Sequence, residues 1–304
     1  MTGPRRILVA GGQGQVGLEL ARTQLPAGYE LSHPGREELD ITSERSVGDY
    51  LARGEWAAII NCAAWTAVDN AEDRVAQVFL ANCQGPAILA DASRQIGIPI
   101  VQLSTDYVFD GKLTRPYRET DLTGPLGVYG ASKLAGELAV AIANPRSVIL
   151  RTAWVISAQR TNFLKTMLRV GASSPSLRVV ADQHGNPTSA ADIARTAISI
   201  VRRLIEDPLA PTGIYHFTNA GDATWFELAC HIFELASARG GPRPDVIPIA
   251  TVDYPTRAMR PANSRLETAN LTADYNIVPR QWREAVAEIV NELVSPNQFE
   301  GAQQ

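Results

Sequence analysis

The sequence predicts an α/β protein: a doubly wound parallel sheet with a smaller C-terminal lobe. Three observations carry this reading. Short apolar runs of strand type alternate with amphipathic helical stretches through the first half of the chain. A glycine-rich turn, Gly11-Gly12-Gln13-Gly14-Gln15-Val16-Gly17, separates the first apolar run from the first helix. The alternation then breaks in 157–187 and 215–273, which are richer in Pro, Gly and Arg. The sheet is thus expected to be of the Rossmann type, with a dinucleotide-binding domain over 1–156. Segments 188–214 and 274–295 are expected to pack back on it, and 157–187 and 215–273 to form a substrate-binding lobe.

The first strand is Arg6-Ile7-Leu8-Val9-Ala10, and the helix after the turn carries Leu18, Leu20 and Ala21. The turn satisfies two spacings, G-x-G-x-x-G from Gly12 and G-x-x-G-x-x-G from Gly11, and both serve the same physics. Glycine lets backbone approach a pyrophosphate, and a helix N-terminus offers free N–H groups. Gly11, Gly14, Gln15, Val16 and Gly17 are therefore candidate cofactor contacts.

A second strand is expected near Tyr29-Glu30-Leu31-Ser32. An NAD site usually ends this strand in an acid that accepts from the ribose. Here Ser32-His33-Pro34-Gly35-Arg36 follows, with no acid before Glu37. Arg36, with His33 beside it, suits a 2′-phosphate, which favours NADPH and leaves NADH as the second cofactor. Asp40 and Ile41 lead to a helix N-cap at Thr42 or Ser43, with Asp40 near the adenine.

Ala57 to Ala64 reads as a buried strand, and small Ala63 and Ala64 at its end let a cofactor pass close to the backbone. Trp65 and Thr66 continue along that cofactor. A helix is expected over 81–95, a strand over 98–103 and another over 147–151. Helices are also expected over 190–206, 224–236 and 282–293. The last carries Glu284, Glu288 and Glu292 as a solvated ridge.

Within the helix after the fourth strand stand Tyr129 and Lys133, one turn apart on one face. A phenol that protonates a carbonyl needs its pKa brought down from about 10, which a fixed cation does. The polar cluster Ser104-Thr105-Asp106-Tyr107 lies just upstream. Ligands of such sheets bind beyond the carboxyl ends of the strands, where the glycine turn, Ala63, Ala64, Thr105 and Trp154 would all fall.

Together these stretches resemble the extended short-chain dehydrogenase/reductases, and within them the reductases of nucleotide-sugar 4-ketones. Arg151-Thr152-Ala153-Trp154-Val155, Asn162-Phe163, Asp182 to Thr188 and Arg260 to Ser264 add to the likeness, which runs from Ile7 to about Leu293. The resemblance implies that Tyr129 protonates the C4 oxygen of a dTDP-4-keto-6-deoxy-L-hexose as hydride arrives. It implies that Lys133 holds the nicotinamide ribose and that Thr105 polarises the carbonyl. Asp106, Tyr107 and Trp154 would hold the sugar. Related 4,6-dehydratases place an Asp-Glu pair after the threonine; Asp106-Tyr107 lacks the second carboxylate, so simple ketone reduction is expected. Trp65 and Ile156-Ser157 depart from the reductase pattern. A reductase of a different nucleotide 4-keto sugar and a non-catalytic NADP-binding regulatory subunit on this fold are the alternatives.

Formal net charge is −4 over 304 residues, which argues against nucleic acid or an anionic membrane as partner. Cys62, Cys83 and Cys230 are scattered, as in a reducing cytoplasm. The N-terminus reads as neither signal peptide nor membrane span, and Gly301 to Gln304 as a ragged tail. Arg257, Arg260 and Arg265 are candidates to meet a nucleotide diphosphate. His216 and His231 lack partners at metal-ligand spacing and read as structural. No metal site is expected from the residues. The resemblance allows a homodimer and a magnesium ion held by interface carboxylates, for which no full ligand set is matched here.

Overall fold

The computed structural model describes residues 3–294; Met1, Thr2 and the 295–304 tail lie outside them. Six parallel strands form the central sheet: β1 (Arg5–Ala10), β2 (Tyr29–Ser32), β3 (Ala58–Asn61), β4 (Ile100–Thr105), β5 (Ser147–Thr152) and β10 (Gly213–His216). Their spatial order is β10-β5-β4-β3-β1-β2. The chain therefore reverses direction across the sheet between β1 and β3, the crevice where such sheets bind ligands.

Alternation along each strand decides which helices cover which face. Ile7, Val9, Ile60, Val101 and Leu150 form one core with α1 (Gln15–Arg22) and α8 (Ala190–Glu206), which contributes Ile193, Ala197, Ile200 and Val201. Leu8, Ile59, Ile100 and Ile149 point the other way. They meet Val47 and Leu51 of α2 (Glu44–Leu51), Leu89 of α5 (Gly85–Gln95) and Val140 of α6 (Val128–Ala143). Ser43 caps α2, its side chain accepting from Ser46 N.

Two elements differ from the sequence-based expectation near the site. β4 runs two residues further, so that Thr105, paired with Thr152 of β5, is its last residue at the carboxyl edge. The helix expected from Ala81 opens as a π-turn, Leu80–Gln84, before α5, following the short α3 (Val68–Ala71) and α4 (Val75–Phe79). Pro86 at the start of α5 has no N–H to donate back into a regular ladder.

The second half holds β6 (Val155–Ile156) against β9 (Thr188–Ser189), β7 (Ser176–Val180) against β12 (Asp245–Ile249), and β8 (His184–Gly185) against β11 (Ala223–Thr224). Its helices are α7 (Phe163–Gly171), α9 (Trp225–Ser237), α10 (Ala269–Tyr275) and α11 (Trp282–Leu293). Thr224 caps α9 in a capping box with Glu227. Leu271 of α10 joins the sheet core. In α11, Trp282, Val286 and Val290 pack with Leu164, Leu228 and Ile232 of α7 and α9, and with Ile156 of β6. α1 is reached by the Arg22–Glu292 ion pair at 2.8 Å. Of the three glutamates of the expected solvated ridge, Glu292 pairs with Arg22 and Glu288 with Arg280, and both remain exposed.

Candidate active site

The glycine turn is shaped by close approach. Gly11 has φ +76°, and a Cβ there would stand 2.4 Å from Ala63 N. A Cβ on Gly17 would stand 2.5 Å from the Gly11 carbonyl oxygen. Of the two spacings open in the sequence, the one through Gly11, Gly14 and Gly17 thus has the stricter steric demand. Gly17 does this from beneath the turn; neither of the two clefts described next is lined by it. No side chain caps α1 at Gly14, and its first turn holds no acid. A bare, close-packed turn with uncapped N–H groups and the positive end of a helix fits the diphosphate of a dinucleotide.

Two clefts meet at this turn and share Gly14, Cys62 and Ala64. The outer one, about 270 Å³, brings together Gly11, Arg36, Asp40, Ile41, Ala63 and Trp65. Arg36 is exposed there. Asp40 accepts from Thr42 N at 3.0 Å and Thr42 Oγ1 at 2.7 Å. Those bonds hold its carboxyl below the usual range, with Arg36 adding to the effect. His33, expected beside Arg36, turns instead toward Gly12. Its Nδ1 is buried without a partner, and burial pushes its pKa down.

The inner cleft, about 470 Å³, brings Gln15, Val16 and Thr66 together with Thr105, Asp106, Tyr107, Tyr129, Lys133 and Trp154. Its walls are fixed by polar side chains behind it. Asn61 Oδ1 accepts from Ala63 N at 3.0 Å, and Asn61 donates to Gln102 Oε1 at 2.7 Å. Asn82, on the π-turn, accepts from Trp65 N at 2.7 Å and donates to Ser132 Oγ at 3.0 Å, tying the Trp65–Thr66 segment to α6. Gly136 of α6 allows this approach, since a Cβ would meet the Asn82 carbonyl at 2.1 Å.

Lys133 is buried and donates from Nζ to the Leu103 carbonyl at 2.7 Å. Burial pushes its pKa down to about 8 against the attraction of Glu137. Tyr129 is pushed up to about 12, first by burial, with Thr105 opposing and Asp106 reinforcing. The expected lowering of the phenol by Lys133 is therefore not what the folded chain has: desolvation dominates, and the ammonium is engaged by a backbone carbonyl. Thr105 Oγ1 donates to Asp106 Oδ1 at 2.9 Å and accepts from Tyr107 N at 3.2 Å. Asp106 Oδ2 is buried without a partner, and burial raises that carboxyl to about 6. Tyr107 meets Tyr129 edge to face, ring centroids 5.6 Å apart. Trp154 is half-buried, with φ +44°, and donates from Nε1 to Ser264 Oγ at 3.1 Å. Cys62 is half-buried between the two clefts, and desolvation raises its thiol to about 12, so it stays protonated.

The three arginines expected at a diphosphate each have a carboxylate partner, although Arg260 also lies 5.9 Å from the Tyr107 ring. Arg257 pairs with Asp73, Arg260 with Asp69 at 2.7 Å, and Arg265 with Asp222 at 3.3 Å. Arg160 and Thr161, by contrast, line the inner cleft and were missed, because no local pattern marks a loop that reaches the glycine turn only through the tertiary fold. Among the described residues no cluster of three or more His, Cys, Asp or Glu is arranged to hold a metal. No helix among them is long and apolar enough to cross a membrane.

A glycine turn at the sheet's switch point, opposite a Thr105, Tyr129 and Lys133 constellation, defines the class of the extended short-chain dehydrogenase/reductases. The family model described as the RmlD substrate binding domain matches residues 5–295, and the chain belongs to that family. It is 41% identical over 286 residues to a dTDP-4-dehydrorhamnose reductase of Sinorhizobium fredii, covering 94% of this chain and 96% of the relative. A dTDP-4-dehydrorhamnose reductase of Streptomyces griseus is 41% identical over 284 residues, covering 93% and 92%. Among solved structures, the Bacillus anthracis dTDP-4-dehydrorhamnose reductase in complex with NADP superposes with a TM-score of 0.88 at 33% identity, over 95% of this chain and 99% of that one.

Proposed function

We infer that the chain reduces the C4 ketone of dTDP-4-dehydro-L-rhamnose to dTDP-L-rhamnose with NADPH. The observation that carries this is the placement of Thr105, Tyr129 and Lys133 in one cleft that runs on from the glycine turn. Relatives at 41% identity over nearly the whole chain bear the name of that reductase, and a structural neighbour holds NADP.

Gly11, Gly14, Gln15 and Val16 would seat the cofactor diphosphate, with Gly17 supporting the turn. Arg36, Asp40 and Ile41 would take the adenosine end, and Ala63, Ala64, Trp65 and Thr66 the stretch beyond it. When bound, the nicotinamide supplies hydride. Tyr129 would donate its phenolic proton to the C4 oxygen. With its pKa raised to about 12 the phenol keeps its proton at neutral pH and gives it up only to a strongly basic oxygen, such as a developing alkoxide. Lys133 would hold the nicotinamide ribose. Thr105 has one hydroxyl proton, which it donates to Asp106 Oδ1, and would redirect it to the ketone. Asp106, Tyr107 and Trp154 would hold the sugar.

The division into a dinucleotide-binding domain and a lobe is part of this proposal, supported by the separate core that Leu164, Leu228, Ile232 and Val286 form. Placement in the cytoplasm is supported by three free cysteines. A homodimer is supported by Leu138 and Ile142, exposed on α6.

The test is loss of NADPH absorbance with the dTDP-4-keto sugar made in situ from dTDP-glucose by a dehydratase and an epimerase. Oxidation that needs both upstream enzymes is expected. Oxidation without the epimerase would reassign the substrate to another 4-keto epimer. NADPH binding with no oxidation would point to a regulatory subunit.

A further inference from the structure

Arg160 comes from the loop between β6 and α7, is exposed, and lines the inner cleft beside Gly14, Gln15 and Val16. Its backbone is left-handed, φ +57°, a conformation non-glycine residues rarely hold without being fixed in place. Side-chain bonds to the glycine turn and α1 fix it. Arg160 Nε donates to the Gln13 carbonyl at 2.8 Å. In the same loop Asn162 Nδ2 donates to Gln15 Oε1 at 2.9 Å, and Ser157 Oγ donates to Glu19 Oε1 at 2.9 Å. Residues 157–162 are thereby strapped over the glycine turn and the first turns of α1.

The guanidinium has five N–H donors, and the bond to Gln13 uses one. Among the described residues Arg160 has no carboxylate partner, whereas Arg257, Arg260 and Arg265 each have one. The anion that seats on the turn carries two negative charges, against about half a unit from the helix dipole. Lys133 is engaged by Leu103, and Arg36 lines the other cleft. Arg160 is thus the cation bonded to the glycine turn itself, with its terminal nitrogens left for an anion.

We propose that Arg160 is a binding residue for the dinucleotide diphosphate, clamping it from the lobe side while the turn and α1 hold it from beneath. This rests on the reading of the cleft as an NADP site. The geometry favours the cofactor's diphosphate over that of the sugar nucleotide, because the Nε bond anchors the head group at the turn. A guanidinium fork matches phosphate oxygens better than an ammonium does.

The experiment is a fluorescence titration of wild type, Arg160→Ala and Arg160→Gly with NADPH, adenosine 2′-monophosphate and dTDP. Glycine is included because it adopts the left-handed backbone without strain. Both variants should bind NADPH about tenfold or more weakly, the size of a charge-assisted bond. Both should bind adenosine 2′-monophosphate, which lacks the diphosphate, and dTDP as wild type does. NADPH binding unchanged in both variants, or weakened in Arg160→Ala alone, overturns the assignment. So does an equal loss for adenosine 2′-monophosphate, which marks a general distortion, or a loss for dTDP instead. A wild type that binds no NADPH overturns the cofactor reading and this assignment with it.

Discussion

Trp154 and Trp225 stack with ring centroids 3.5 Å apart and planes 5° from parallel. Trp154 follows β5 in a left-handed conformation, and Trp225 opens α9 in the second half of the chain. A Cβ on Gly185 would stand 2.3 Å from Trp154 Cε2, so the indole is held between Trp225 and bare backbone. Trp225 Nε1 donates to Gln183 Oε1 at 3.2 Å, which fixes the supporting ring in turn. Trp154 therefore borders the inner cleft at an angle set by a residue outside it. Trp225→Ala should raise the KM for the sugar nucleotide about tenfold while leaving NADPH affinity near wild type, since a stacked aromatic pair contributes about 1 kcal/mol beyond its buried area. Trp225→Phe should recover most of the loss. Steady-state kinetics with a near-ultraviolet circular dichroism spectrum would check both, and an unchanged KM in Trp225→Ala would end this role.

Tyr129→Phe removes the proposed acid and leaves the ring against Tyr107. Turnover should fall by about two to four orders of magnitude, the usual worth of a placed general acid. NADPH affinity should change little, because Lys133 keeps its bond to Leu103. Stopped-flow absorbance at saturating sugar separates the two quantities; turnover near the wild-type rate would remove Tyr129 from the chemistry.

Arg36 stands exposed at the outer cleft with Asp40 beside it and no acid at the end of β2. Arg36→Ala should weaken NADPH about tenfold and NADH hardly at all, because NADH lacks the 2′-phosphate. The ratio of the two dissociation constants reads this directly. A parallel loss for both dinucleotides would mean that Arg36 supports the loop rather than the phosphate.

What the sequence makes legible follows range in the chain. The bounds of α8 and α11 can be read to the residue, because an amphipathic period is a local signal. The partner of each face is not local, so the period alone does not tell that the apolar side of α11 meets α7 and α9. Tyr129, Lys133 and Thr105 are legible because a four-residue helical spacing and a strand end are written in the chain itself. Trp225 and Arg160 are not, since Trp225 lies 71 positions beyond Trp154 and Arg160 lies 147 beyond Gln13. The signs of the pKa shifts also escape the sequence. A cation four residues away suggests a lowered phenol, but the depth of burial around both groups decides the outcome.

Burial also sets how the fold responds to acid at His216, on the edge strand β10. The ring is fully buried, with Nδ1 3.2 Å from the Tyr117 carbonyl and Nε2 3.5 Å from Arg151 Nη1. That geometry places the proton on Nδ1 and leaves Nε2 to accept. Behind it, Arg151 forms a buried pair with Glu137 at 2.6 Å. Burial, then the Arg151 charge, pushes the His216 pKa down to about 3. Below about pH 6.5 the unfolded chain binds a proton at this residue that the folded chain refuses until about pH 3. Stability contributed by neutral His216 is thus complete above pH 6.5 and is lost as the pH falls toward 3, about 2 kcal/mol of it by pH 5. His216→Gln, which does not titrate, should have lower stability at pH 7.5 but a smaller drop in urea midpoint between pH 7.5 and pH 5 than wild type. Equal drops in the two proteins would show that His216 is not the group that makes the fold acid-sensitive.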